Sequence, residues 1–173
     1  MEYNLRYPVS QKSSYSSGEN IDFILSFPNS AVVGNSVRIS GKLQVKKGAD
    51  LIKYNQKVYY DAMTGIHSFF NNIVVSFQSK GVVETQSNYP RWIKMKHTAT
   101  RTKSQVVSNS KTLTQLLHID SKKTNIAMGE EQSFSFDLDC CLNNVGNGQF
   151  AYSKTGDITI SMRTVQPFEA LFG

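Results

Sequence analysis

GIHSFFNNIVVSFQSKGVVETQSN, residues Gly65 to Asn88, sets the rhythm from which the rest of the chain is read. Ile73, Val75 and Phe77 alternate with Val74, Ser76 and Gln78, which is the period of a strand with one buried face. Ser79, Lys80 and Gly81 then supply a turn, and Val82 and Val83 resume the apolar run. The spacing predicts a hairpin buried in the middle of a β-sandwich, entered through the loop at Gly65 and left through NYPRWIKMKH.

The same alternation extends in both directions. Upstream, Ile21, Phe23, Leu25 and Phe27 fall on one face until Pro28, Asn29 and Ser30 end the run. A second strand is expected from Ser36 to Val45, with Val37, Ile39, Leu43 and Val45 inward and Arg38, Ser40, Lys42 and Gln44 outward. Gly41 takes an inward position there, leaving room for a bulge or for a large neighbour to pack across. Lys46, Lys47 and Gly48 read as a turn, and a short segment around Lys57 to Tyr60 leads into the hairpin.

Downstream the period changes before it returns. Pro90 suits a first helical turn, and Trp92, Ile93 and Met95 are expected as the apolar stripe of a short helix, with a second over Leu113 to Leu117. Phe134, Phe136 and Leu138 then oppose Ser135, Asp137 and Asp139. After the turn residues NNVGNGQF, Ile158, Ile160 and Met162 oppose Thr159, Ser161 and Arg163. Six to eight strands without a βαβ rhythm imply an all-β, antiparallel β-sandwich with one or two short helices in its connections. Periodicity alone does not choose between jelly-roll and immunoglobulin-like strand order.

Composition agrees with strands in a single core. The chain has 173 residues, 39% of them apolar, with ten Phe and eight Tyr, enough to close one sizeable domain. That domain is expected over residues 21–165, between a flexible, Ser-rich N-terminal arm of residues 1–20 and a C-terminal tail of residues 166–173. Tyr3, Leu5 and Tyr7 alternate within the arm, a spacing suited to a strand laid on a neighbouring subunit or to one within its own domain.

The formal charge of +6 is concentrated. Arg91, Lys94, Lys96, Arg101, Lys103, Lys111, Lys122 and Lys123 stand against one acid, Asp120. Two readings follow: a solvated face, or a surface that meets nucleic acid, acidic lipid or an acidic protein through a sequence-independent electrostatic term.

Chemical signatures are sparse. Cys140 and Cys141 are adjacent and are expected as free thiols on opposite faces of a strand end, which fits a reducing compartment. His67, His97 and His118 are scattered, with no HxH, HExxH or CxxC spacing to hold a metal. Asp137 and Asp139 share one strand face and read as a solvated or edge-protecting pair rather than as an acid and base. No GxSxG, GxGxxG or GxxxxGK[ST] segment occurs. Trp92, beside Arg91 and Lys94, is read as a core or interface anchor, or as a stacking platform for a base or sugar. The start MEYNLRYPVS lacks the apolar core of a secretory signal, and no run of eighteen apolar residues exists to span a membrane. No catalytic set, metal or cofactor is expected.

The order of IDFILSFP, VRISGKLQV, GIHSFFNNIVVSF and KGVVETQSNY resembles the first jelly roll of capsid proteins in the lineage of tailless icosahedral double-stranded DNA viruses. Virophages, polinton-like viruses and large eukaryotic DNA viruses carry related proteins. A G-x-x-E-x-x-x-N-Y segment of that lineage is matched by Gly81, Glu84, Asn88 and Tyr89, and the resemblance spans residues 20 to 165. It implies a jelly roll in a structural role, folded in the host cytoplasm and built into the virion capsid. Major capsid proteins of the lineage carry two jelly rolls and form trimers, whereas its pentons have one and form homopentamers at the fivefold vertices. Length favours the penton, with one domain of a trimeric major capsid protein second. Neighbouring capsid proteins and non-specific nucleic acid are the further partners implied. A carbohydrate- or receptor-binding β-sandwich is the reading from another class.

Overall fold

Strand pairing runs from the two ends of the chain inward. The computed structural model describes residues 12, 14–44, 46–47, 50–51, 59–60, 64–102, 104–105, 132–166 and 171–172. In chain order the strands are β1 (Asn20–Leu25), β2 (Ala31–Val33), β3 (Arg38–Leu43), β4 (Lys46–Lys47), β5 (Asp50–Leu51) and β6 (Tyr59–Tyr60). After a 3-10 turn at Gly65–Phe69 come β7 (Phe70–Phe77), β8 (Gly81–Gln86) and helix α1 (Tyr89–Thr100). The remaining elements are β9 (Gln132–Asp137), β10 (Gln149–Ala151), the one-turn α2 (Tyr152–Thr155), β11 (Ile158–Thr164) and β12 (Leu171–Phe172). Each strand pair among the described residues is antiparallel, which makes the chain all-β with few helices. β1 pairs β11, β2 pairs β10 and β3 pairs β9, so three pairings are nested one inside the next. β12 pairs β6 outside that nest.

The chain forms two compact units. The first comprises Met1–Val37, Phe70–Tyr89 and Asp139–Val165. Its sheet has the order β1-β11-β7-β8. Ile73, Val75 and Phe77 on β7, and Ile158, Ile160 and Met162 on β11, are buried as their alternation requires. Each such side chain taken out of water contributes roughly 1.5–3 kcal/mol before the entropy of ordering is subtracted. Phe77 meets Phe150 of β10 edge-on, with centroids 5.7 Å apart, and Phe27 meets Tyr152 in the same way at 5.4 Å. Ser16 and Glu19, within the Ser-rich arm, form a turn fastened to the end of β11, where the Thr164 N–H donates to the Glu19 carbonyl at 2.9 Å.

The expected burial of the whole hairpin is corrected by a bulge. β7 lies inside the sheet, but β8 is its last strand, and Val82 and Val83 are 63% and 44% exposed. Val75 pairs Glu84 while Ser76 pairs Val82, so Val83 is the extra residue. A regular ladder would set Val83 opposite Val75 on the core face; the bulge sets Glu84 there instead. With a period of two, one inserted residue reverses which side chains face inward.

The second unit comprises Arg38–Phe69, Pro90–Leu138 and Gln166–Gly173. Ile39 and Phe136, paired between β3 and β9, are buried, while Ser40 and Ser135 share a 2.9 Å hydrogen bond on the other side. The β3 strand is shorter than expected, and Val45 lies outside the described residues. Gly41 pairs Phe134, and a Cβ on Gly41 would stand 2.8 Å from the Phe134 ring, so the large neighbour packs across the glycine. The expected helix after Pro90 is present, one residue earlier than Pro90 itself. Its stripe is different: Trp92 and Met95 are 48% and 61% exposed, whereas Tyr89, Ile93 and His97, spaced four apart, are buried. The expected helix at Leu113 to Leu117 lies outside the described residues.

Gly41→Val should force the Phe134 ring aside and destabilise the protein by about 1–3 kcal/mol, with partial rescue by Phe134→Leu; urea unfolding midpoints measure both.

Candidate functional site

The four residues of the G-x-x-E-x-x-x-N-Y segment act together on one loop. Gly81 and Asn88 supply the positive φ angles, 74° and 55°, that turn the chain at either end of β8. Glu84 and Tyr89 reach from that strand and its exit to the segment Asp139–Asn144. The Glu84 carboxylate accepts from the Cys141 N–H through Oε2 at 2.5 Å and from Gln86 Nε2 through Oε1 at 2.6 Å. Gln86 Nε2 also donates to the Asp139 carbonyl at 2.9 Å, and the fully buried Tyr89 hydroxyl accepts from the Asp139 N–H at 3.2 Å. Asn144 Nδ2 donates to Asp139 Oδ1 at 2.8 Å. Asn143 completes the anchoring, because its amide both donates to the Val37 carbonyl and accepts from the Val37 N–H, like a strand partner.

Burial holds the phenol and the two thiols of this cluster in their neutral forms. Burial pushes the Cys140 thiol up to about 11. Burial, followed by the hydrogen bond to Glu84, pushes Cys141 up to about 12. Both thiols are free, and protonated at neutral pH they are weak nucleophiles. Burial likewise raises the Tyr89 phenol well above its ordinary value. The two cysteines lie in the loop after β9 rather than at a strand end, with Cys140 buried and Cys141 half-buried.

Other residues singled out by sequence are distributed differently from expectation. Asp137 and Asp139 form no pair: Asp137 is exposed and bridges Arg38 at 2.8 Å, while Asp139 is buried and tied to Asn144. The exposed bridge adds little to stability. His67 and His97 are far apart in sequence, yet both are buried with rings 5.8 Å apart, and His67 stands edge-on to Phe136 at 4.7 Å. Only the four-residue spacing of Tyr89, Ile93 and His97 hinted that His97 belongs to a buried stripe. Among the described residues no three His, Cys, Asp or Glu side chains are placed to hold a metal ion. No described helix is long and apolar enough to cross a membrane. Of the basic residues, Arg91 and Lys94 are exposed on α1, and Lys96 and Arg101 are half-buried. Lys103, and the arm residues Tyr3, Leu5 and Tyr7, lie outside the described residues.

Comparison with known proteins leaves the site to be read from its own geometry: no family model matches the chain, and no curated protein matches it.

Glu84→Ala removes the charged acceptor of a half-buried N–H and of a half-buried amide, and should cost about 1–3 kcal/mol of unfolding free energy, with Glu84→Gln milder. The thiols carry a sign for pH. Because both folded values lie above the ordinary 9.0, stability is unaffected by them below about pH 9 and declines as pH rises toward 11–12, where the unfolded chain sheds protons that the folded chain keeps. Urea midpoints across that range should fall less steeply for Cys140→Ala/Cys141→Ala, and both native thiols should resist iodoacetamide at pH 8 until denaturant is added.

Proposed function

We propose that this chain is a structural subunit of an icosahedral viral capsid: a single jelly roll, an antiparallel sandwich that closes the fivefold vertices as a homopentamer. One observation carries the reading. The nested pairing of β1 with β11, β2 with β10 and β3 with β9 is that of a long two-stranded ribbon, the connectivity from which a jelly roll is wound. The capsid-like segment adds support from an independent direction. Its Gly81, Glu84, Asn88 and Tyr89 turn β8 and fasten the Asp139–Asn144 loop, which is a scaffold's task.

A shell subunit transmits load through packed strands and meets its neighbours through loops and tails. Neighbouring capsid proteins are the remaining partners, the virion is the destination, and folding takes place in the host cytoplasm.

Light scattering after size exclusion, at low and high salt, tests the assembly. The expected mass is about five times the 19.4 kDa chain. A trimer would assign the chain instead to one jelly roll of a major capsid protein, and a salt-independent monomer that binds a glycan array would replace the capsid reading by a carbohydrate-binding one.

A further inference from the structure

Helix α1 turns a cationic face carrying large apolar side chains to solvent. Arg91, Trp92, Lys94 and Met95 are exposed, on the side away from the buried Ile93 and His97. Trp92 and Met95, three residues apart, form one ridge with Arg91 and Lys94 beside it. The helix contains no Asp or Glu, and the whole run from Thr85 to Ile119 contains none against six Lys or Arg. Arg91 stands in the first turn, where the helix dipole favours acids. A cation there weakens the helix slightly, a choice that stability does not explain.

We infer that this face binds single-stranded nucleic acid, with Arg91 and Lys94 meeting phosphates and Trp92 stacking on a base. A second copy presenting this same face is a poor occupant. It would set Arg91 and Lys94 against their own likes, so the face does not pair with itself. An uncharged apolar partner does not complement the positive charge of the face. A flexible polyanion whose bases present flat faces satisfies both halves of the surface, because stacking accepts any base and the charge term accepts any sequence. The inference goes beyond the capsid reading and stands whether or not the chain assembles.

Trp92 is the chain's only tryptophan, so its emission reports the site directly. Oligo(dT) of about twenty nucleotides, fluorescein-labelled and titrated against the full chain at low salt, should raise anisotropy and quench Trp92 together. Trp92→Ala should weaken binding about tenfold and leave the salt dependence unchanged, whereas Trp92→Tyr keeps most of the affinity. Arg91→Gln/Lys94→Gln should lower the slope of log K against log salt by about 1.4, the loss of two phosphate contacts on a single strand. Unchanged circular dichroism certifies these surface variants as folded. Binding that leaves Trp92 emission unaltered overturns the proposal. So does equal competition by polyglutamate, which would mark an acidic-protein surface, or equal quenching by a duplex of the same length, which would remove the stacking role. Because the titration needs no assembly, its failure is separate from failure to form a pentamer.

Discussion

A carboxylate in a row of hydrophobic side chains is the constraint around which the first unit is arranged. Across the core face of the sheet, Phe23, Ile160, Val75 and Glu84 lie side by side on neighbouring strands. A carboxyl group so placed, half-buried, needs hydrogen-bond partners. The Cys141 N–H, the Gln86 amide and the Cys141 thiol provide them. The requirement runs the other way as well, because the backbone of the loop that follows β9 has no ladder of its own. Glu84 and Tyr89 supply acceptors that a strand partner would otherwise give.

The bulge at Val83 makes this possible. It brings Glu84 rather than a valine to the core face, at the end of the sheet where a polar side chain still reaches a neighbouring loop. It also leaves Val82 and Val83 exposed on the last strand. A bulged last strand is a poor template for edge-to-edge aggregation.

The second unit solves its packing with shape rather than charge. Phe134 lies across Gly41, the paired Ile39 and Phe136 fill the same face, and His67 meets Phe136 edge-on. Helix α1 then spends its polar and apolar residues in opposite senses. Its sole four-residue stripe is buried and includes a histidine, while its tryptophan and a methionine stand in water among cations. That inversion leaves large apolar side chains of α1 at the surface.

Side-chain alternation alone decided most of the strands. The inward sets on β7, β11, β3 and β9, the glycine awaiting a large neighbour, and the helix begun near Pro90 were all legible, because periods of two and of 3.6 are properties of the local backbone. Charge concentration between Arg91 and Lys123 was legible for the same reason, being a matter of composition. Tertiary structure decided the rest. A bulge depends on the partner strand, so no local period could place Glu84 inward and Val82 outward. Which strands pair across more than a hundred residues is decided by loop closure and shared core contacts, so the nested ladder of β1 with β11 could not be read from spacing. The meeting of His67 with His97, and of Glu84 with Cys141, depends on the same long-range closure.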